Sequence, residues 1–126
     1  MTNAPAYSPR VAALYRAAPG AGRPLGPGWV SGEARERLSA TCVRWHLAVE
    51  GGRVREARYE VRGCPHTIAA AAAVAAGLSG RAVTDLEVDM PALAAELGVP
   101  RDKLGRLFVI QDAIRDAALL LKAARV

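Results

Sequence analysis

The sharpest pattern along the chain is an alternation of apolar and polar residues. Val43, Trp45, Leu47 and Val49 alternate with Arg44, His46, Ala48 and Glu50. After Gly51–Gly52 the alternation resumes, with Ala57, Tyr59 and Val61 set against Arg58, Glu60 and Arg62. A period of two is that of a strand with one buried face, and a Gly-Gly pair between two such runs marks a tight hairpin turn. Facing residues share a side of the sheet, so Val43 should pair with Val61, Trp45 with Tyr59 and Leu47 with Ala57. That register puts Thr41 beside Gly63 and leaves Cys42 on the polar face with Arg44 and His46. A first strand is predicted over Trp29–Ala34, with the charged run Glu33–Arg37 as an exposed turn.

Elsewhere the period lengthens to that of helices. Ser8 can cap a short helix with Pro9 at its first position and Val11, Leu14 and Tyr15 as its apolar stripe. Pro19 to Gly28 is too rich in glycine and proline to be regular. A helix is predicted over Pro65–Leu78, ending near Ser79–Gly80, and Leu86 and Val88 fall in a connection. Asp89 can cap a helix from Pro91 to Leu97 closed by Gly98. After Pro100 a last helix should run from about Asp102 to Ala124. Its stripe is Leu104, Leu107, Phe108, Ile110, Ile114, Ala117 and Leu121, with Arg106, Gln111, Asp112, Arg115 and Lys122 facing water. Met1–Ala6 should be loose, and residues 1–126 read as one domain.

Composition narrows the class. The 126 residues are 52% hydrophobic, enough for one real core. The net charge is +5, but the arginines are scattered along the sequence and aromatics are only 5%. This favours a solvated basic surface that docks acidic partners over nucleic-acid binding. Met1–Pro9 lacks the regions of a signal peptide, and the longest uncharged apolar run, Thr67–Leu78, is too short to span a bilayer. A cytoplasmic protein with reduced thiols and no membrane contact is the expectation. Two cysteines, Cys42 and Cys64, do not make a disulfide framework.

The best-placed chemistry lies in Arg62–Gly63–Cys64–Pro65–His66. Gly63 permits a sharp turn, Pro65 suits the first position of a helix, and Cys64 therefore stands at or beside the N-cap. A thiol there feels the positive end of the helix dipole, which favours thiolate. His66 shares the same mouth. A metal site of Cys64 and His66, perhaps joined by Cys42, would need three or four converging ligands. The plainer alternatives are a structural Cys64, a helix-terminus His66, a partly buried Cys42 and a solvated His46. No phosphate loop, Ser/His/Asp set or paired carboxylates can be argued.

The order of segments resembles the U-type iron–sulfur cluster scaffold family (IscU/NifU N-terminal-like). The resemblance runs from Tyr7 to about Ala124 and is most specific at Glu56–Ala57–Arg58–Tyr59, Arg62–Gly63–Cys64 and Gln111–Asp112–Ala113–Ile114. It implies an α+β fold, a small antiparallel three-stranded sheet with helices packed on one face. It also implies a non-enzymatic role in iron–sulfur cluster assembly beside a cysteine desulfurase and other assembly proteins. Family members build a [2Fe–2S] cluster on three cysteines with an aspartate or histidine nearby. Cys64 matches the middle cysteine. A His-Cys pair should open the last helix, where this chain has Gly105–Arg106. Ungapped alignment puts Ser39 and Thr41 at the first ligand positions, with Cys42 one step beyond. The Leu-Pro-Pro-Val-Lys motif is reduced to Pro100 and Lys103. The resemblance thus implies a divergent scaffold in which Cys64 accepts sulfur or helps to bind a [2Fe–2S] cluster, iron or zinc, with His66 and Cys42 as the other candidate ligands. A homodimer or a partner's thiol would be needed to complete a cluster. The alternatives are a cluster-free adaptor on the same fold and a single-thiol redox protein.

Overall fold

The computed structural model describes residues 7–124. The expectation for Met1–Ala6 falls outside them. Helix α1 (Pro9–Ala17) is followed by strands β1 (Trp29–Glu36), β2 (Thr41–Glu50) and β3 (Arg53–Arg62), then helix α2 (Pro65–Leu78). Helix α3 (Met90–Leu97), a 3-10 turn at Arg101–Lys103 and helix α4 (Leu104–Ala124) complete the order. The strands form one antiparallel sheet in the order β1-β2-β3.

The hairpin has the expected register, with Val43 opposite Val61, Trp45 opposite Tyr59 and Leu47 opposite Ala57. Gly51 and Gly52 have φ of 59° and 74°, as a two-residue turn with matching twist requires. Next to it a register shift between Ala48 and Val49 brings Val54 opposite Val49. Simple alternation would have turned Val54 outward; the bulge buries it, at 1% exposure. α4 packs across β1 and β2, α2 packs on β3, and α1 lies on α2. Trp45 and Tyr59 meet as a tilted aromatic pair, 5.6 Å between centroids, and Trp45 Nε1 donates to the Ile110 carbonyl at 3.2 Å. Ala69–Ala72 of α2 are buried, because a helix of methyl groups lets neighbouring backbones approach closely.

Several expectations need correction. β1 continues to Glu36, so Glu33–Glu36 are strand residues, and the turn is Arg37–Ala40. Charge suggested a turn, but an edge strand tolerates charged residues that pair across it, here Glu33 with Arg44. On α4, Phe108 is 44% exposed, and Val109 fills the core in its place. Gln111 is buried rather than solvated: its Oε1 accepts from the Val88 amide at 2.6 Å and its Nε2 donates to the Leu86 carbonyl at 3.4 Å. It thereby satisfies backbone groups in the irregular connection before α3. His46 is also buried, at 5% exposure. Its strand is the central one, so Ser31 Oγ sits 2.7 Å from Nδ1 on one flank and Glu60 Oε1 2.8 Å from Nε2 on the other.

Candidate functional site

Cys64 is the N-cap residue of α2, in extended backbone, with Pro65 as the first helical residue. Its thiol is half-buried, and Sγ lies 3.4 Å from Thr67 Oγ1. Burial pushes the thiol pKa up, but this is outweighed by contacts that favour the anion: the Thr67 hydroxyl and amide, the Arg106 side chain and the His66 amide. The net pKa is below the ordinary thiol value. The amides make no capping hydrogen bond to the sulfur yet still lie close enough to act, as at any helix N-terminus.

The end of the sheet builds the rest of this cradle. A Cβ on Gly63 would stand 3.6 Å from Thr41 Cγ2 and 3.4 Å from Thr67 Cβ, so the start of β2 lies against the start of α2. The Ser39 and Thr41 hydroxyls are 2.7 Å apart, and Ser39 Oγ also donates to the Glu36 carboxylate. The other Glu36 oxygen is 3.4 Å from where a Gly105 Cβ would be. Ser39, Thr41, Cys64, Gly105 and Arg106, the positions to which the resemblance assigns ligands, therefore converge in space, and Glu36 joins them. Sequence reasoning missed Glu36 because it lay in the run read as a turn. The signal that finds it is the register, in which Glu36 pairs with Thr41.

His66 is buried at 5% exposure, with the Tyr7 ring edge-on at 4.8 Å. Desolvation lowers its pKa, Lys103 and Arg106 lower it further, and Asp102 opposes them. Its Nε2 has no hydrogen-bond partner among the described residues. Cys42 lies elsewhere, opposite Arg35 on β1 and Arg62 on β3, in a groove on the outer face of the sheet. The structure thus does not gather Cys64, His66 and Cys42 into one ligand set. Among the described residues no three His, Cys, Asp or Glu side chains come close enough together to hold a metal ion.

A [2Fe–2S] cluster needs four terminal ligands. The cradle offers one thiolate, hydroxyls already engaged with each other or with Glu36, a glycine, and an arginine whose charge repels a cation. These residues do not fit a cluster held by one chain. They do fit a single thiol whose anion is favoured by its neighbours, with the Arg106 side chain beside it.

The family model described as the NifU-like N terminal domain matches residues 30–125. No curated protein matches. Among solved structures, a candidate iron–sulfur cluster assembly scaffold protein for the SUF system, from thermophilic Fervidobacterium islandicum AW-1, superposes with a TM-score of 0.74. It is 11% identical, with 89% of this chain and 96% of that chain covered. A nitrogen-fixing NifU-like protein (N-terminal) from Brucella abortus gives a TM-score of 0.58 at 20% identity, over 90% of this chain and 84% of that one. At these identities the two structures show a shared fold. No helix among the described residues is long and apolar enough to cross a membrane.

Proposed function

The chain belongs to the NifU-like N-terminal domain family of U-type iron–sulfur scaffolds, and from that premise we propose that it serves iron–sulfur cluster assembly as a single-thiol member, with Cys64 accepting sulfur. The observation that carries this reading is the Cys64 cradle. It keeps the thiol at a helix N-terminus and stabilises its anion, while the neighbouring ligand positions hold Ser39, Thr41, Gly105 and Arg106. The donor is a protein persulfide, of the kind a cysteine desulfurase carries. The Cys64 thiolate attacks the terminal sulfur of the donor's R–S–SH. A sulfur–sulfur bond forms to Cys64, the donor's sulfur–sulfur bond breaks, and the donor leaves as its thiolate. The proton stays on the transferred sulfur, and no external oxidant or reductant is needed. Arg106 stabilises the attacking anion, and the Thr67 hydroxyl holds the sulfur at the mouth of the cradle.

The test is to incubate the protein with a desulfurase and cysteine, trap persulfides by alkylation and map them by mass spectrometry. The expected result is one added sulfur on Cys64, absent in Cys64→Ser and unchanged in Cys42→Ser. A second reading, an adaptor that binds assembly proteins without carrying sulfur, is favoured by the loss of side chain at Gly105 and the added charge at Arg106. Tight desulfurase binding with Cys64 unmodified throughout turnover would select it.

A further inference from the structure

Beside the Cys64 cradle, a second surface runs over the outer face of the sheet, opposite the helices. The arginines that are dispersed in the sequence gather there. A groove of about 690 Å³ is lined by Arg23, Arg35, Arg37, Arg44 and Arg62, against Glu33, Glu36 and Glu60. Five cations therefore face three carboxylates, an excess of two positive charges.

The ion pairs divide these arginines into two sets. Glu33 holds Arg44 and Arg35, whose hydrogen bonds keep its carboxyl below the usual range. Glu60 takes Arg23, at 3.4 Å, and His46. Arg37 and Arg62 are exposed and make no ion pair with a described residue. The paired arginines have their fork geometry fixed by glutamates, and the unpaired ones supply charge that a ligand can neutralise.

The groove also has a direction. Glu36 and Thr41, which help to build the Cys64 cradle, are part of its lining. It therefore opens at the end of the sheet where the thiol lies, across the Arg37–Ala40 turn. No aromatic ring lines it, so it offers no stacking platform for nucleic-acid bases.

We propose that this groove is a docking surface for an acidic segment of a partner protein, whose carboxylates pair with Arg37 and Arg62 and whose body is thereby set beside the Cys64 cradle. Charge complementarity chooses the occupant: side-chain carboxylates match the arginine forks, and an extended segment matches an open groove on a flat sheet face. The proposal stands whether or not Cys64 accepts sulfur.

The probe is a fluorescein-labelled glutamate-rich peptide, titrated with the full chain and followed by fluorescence anisotropy at low and physiological salt. Binding should be salt-sensitive, and Arg37→Glu/Arg62→Glu should weaken it by about tenfold or more. The double variant Arg16→Glu/Arg101→Glu changes net charge equally, on exposed residues outside the groove, and should leave binding nearly unchanged. Circular dichroism checks folding. Should the charge reversal unfold the chain, Arg37→Gln/Arg62→Gln gives the same readout with a smaller loss. Equal weakening by both double variants would reduce the effect to bulk charge and overturn the proposal. So would tighter binding of an oligonucleotide of the same charge, or full displacement of the peptide by inorganic phosphate at matched charge.

Discussion

Cys64 and Cys42 lie on opposite sides of one sheet, and their reactivities should part accordingly. Cys64 has the helix N-terminus, Thr67 and Arg106 lowering its pKa against burial. Alkylation rates followed against pH by mass spectrometry should therefore give Cys64 an apparent pKa below the ordinary thiol value. Arg106→Ala should raise it and slow the reaction near neutral pH. Identical profiles in wild type and variant would remove Arg106 from the site. His66 supplies a second test at this scale. Its folded pKa is lowered, first by desolvation and then by Lys103 and Arg106. The unfolded chain takes up the proton first, near the ordinary histidine value of about 6.5. The stability due to neutral His66 is thus full above that value and lost as pH falls toward the lower folded pKa. Urea midpoints at about pH 7.5 and about pH 5 should differ less in His66→Phe than in wild type. A slope left intact by the substitution would assign the acid sensitivity to other groups.

At the scale of elements, the contact between β1 and α4 is decided by a missing side chain. A Cβ on Gly32 would land on the backbone of Ala113 and Ala117, with Ala117 Cα only 2.8 Å away. Backbone has no rotamer with which to yield, so Gly32→Ala should separate the strand from the helix. A loss of about 3 kcal/mol or more in urea unfolding is expected, the upper range for overpacking. A loss below about 1 kcal/mol would mean that the helix sits farther from the strand. This contact also bears on function. β1 carries Glu36 and α4 carries Gly105 and Arg106, so displacing one from the other should raise the apparent pKa of Cys64 as well.

For the whole molecule the decisive quantity is the number of ligands at one point. The cradle brings the chain's ends of strands and helices together but offers one thiolate to a cluster that needs four terminal ligands. After anaerobic reconstitution and gel filtration, the monomer peak should carry no stoichiometric iron. A cluster, where one forms, should run with a dimer or with a partner that brings thiols. A stable iron–sulfur monomer that is lost in Cys64→Ser and in Cys42→Ser alike would show that Cys42 reaches the cradle after all.

The parts of this fold with local causes were legible in the sequence. Alternation and the Gly-Gly turn set the hairpin register. Ser8, Pro65 and Asp89 set the starts of α1, α2 and α3 through capping and proline geometry. The placement of Cys64 at a helix N-cap followed from three neighbouring residues. The rest depended on residues far apart in the chain. Burial of His46 needed Ser31 and Glu60 on either side of it, and burial of Gln111 needed the carbonyl and amide of an irregular segment. Glu36 joined the cradle only once β1 paired with β2 and α4 crossed it, and the arginine groove forms only where outward residues of three strands meet Arg23 and the Arg37–Ala40 turn. Periodicity states which face a residue takes. It does not state what stands on that face from another strand, and charge pairing, desolvation and ligand convergence are all set by those neighbours.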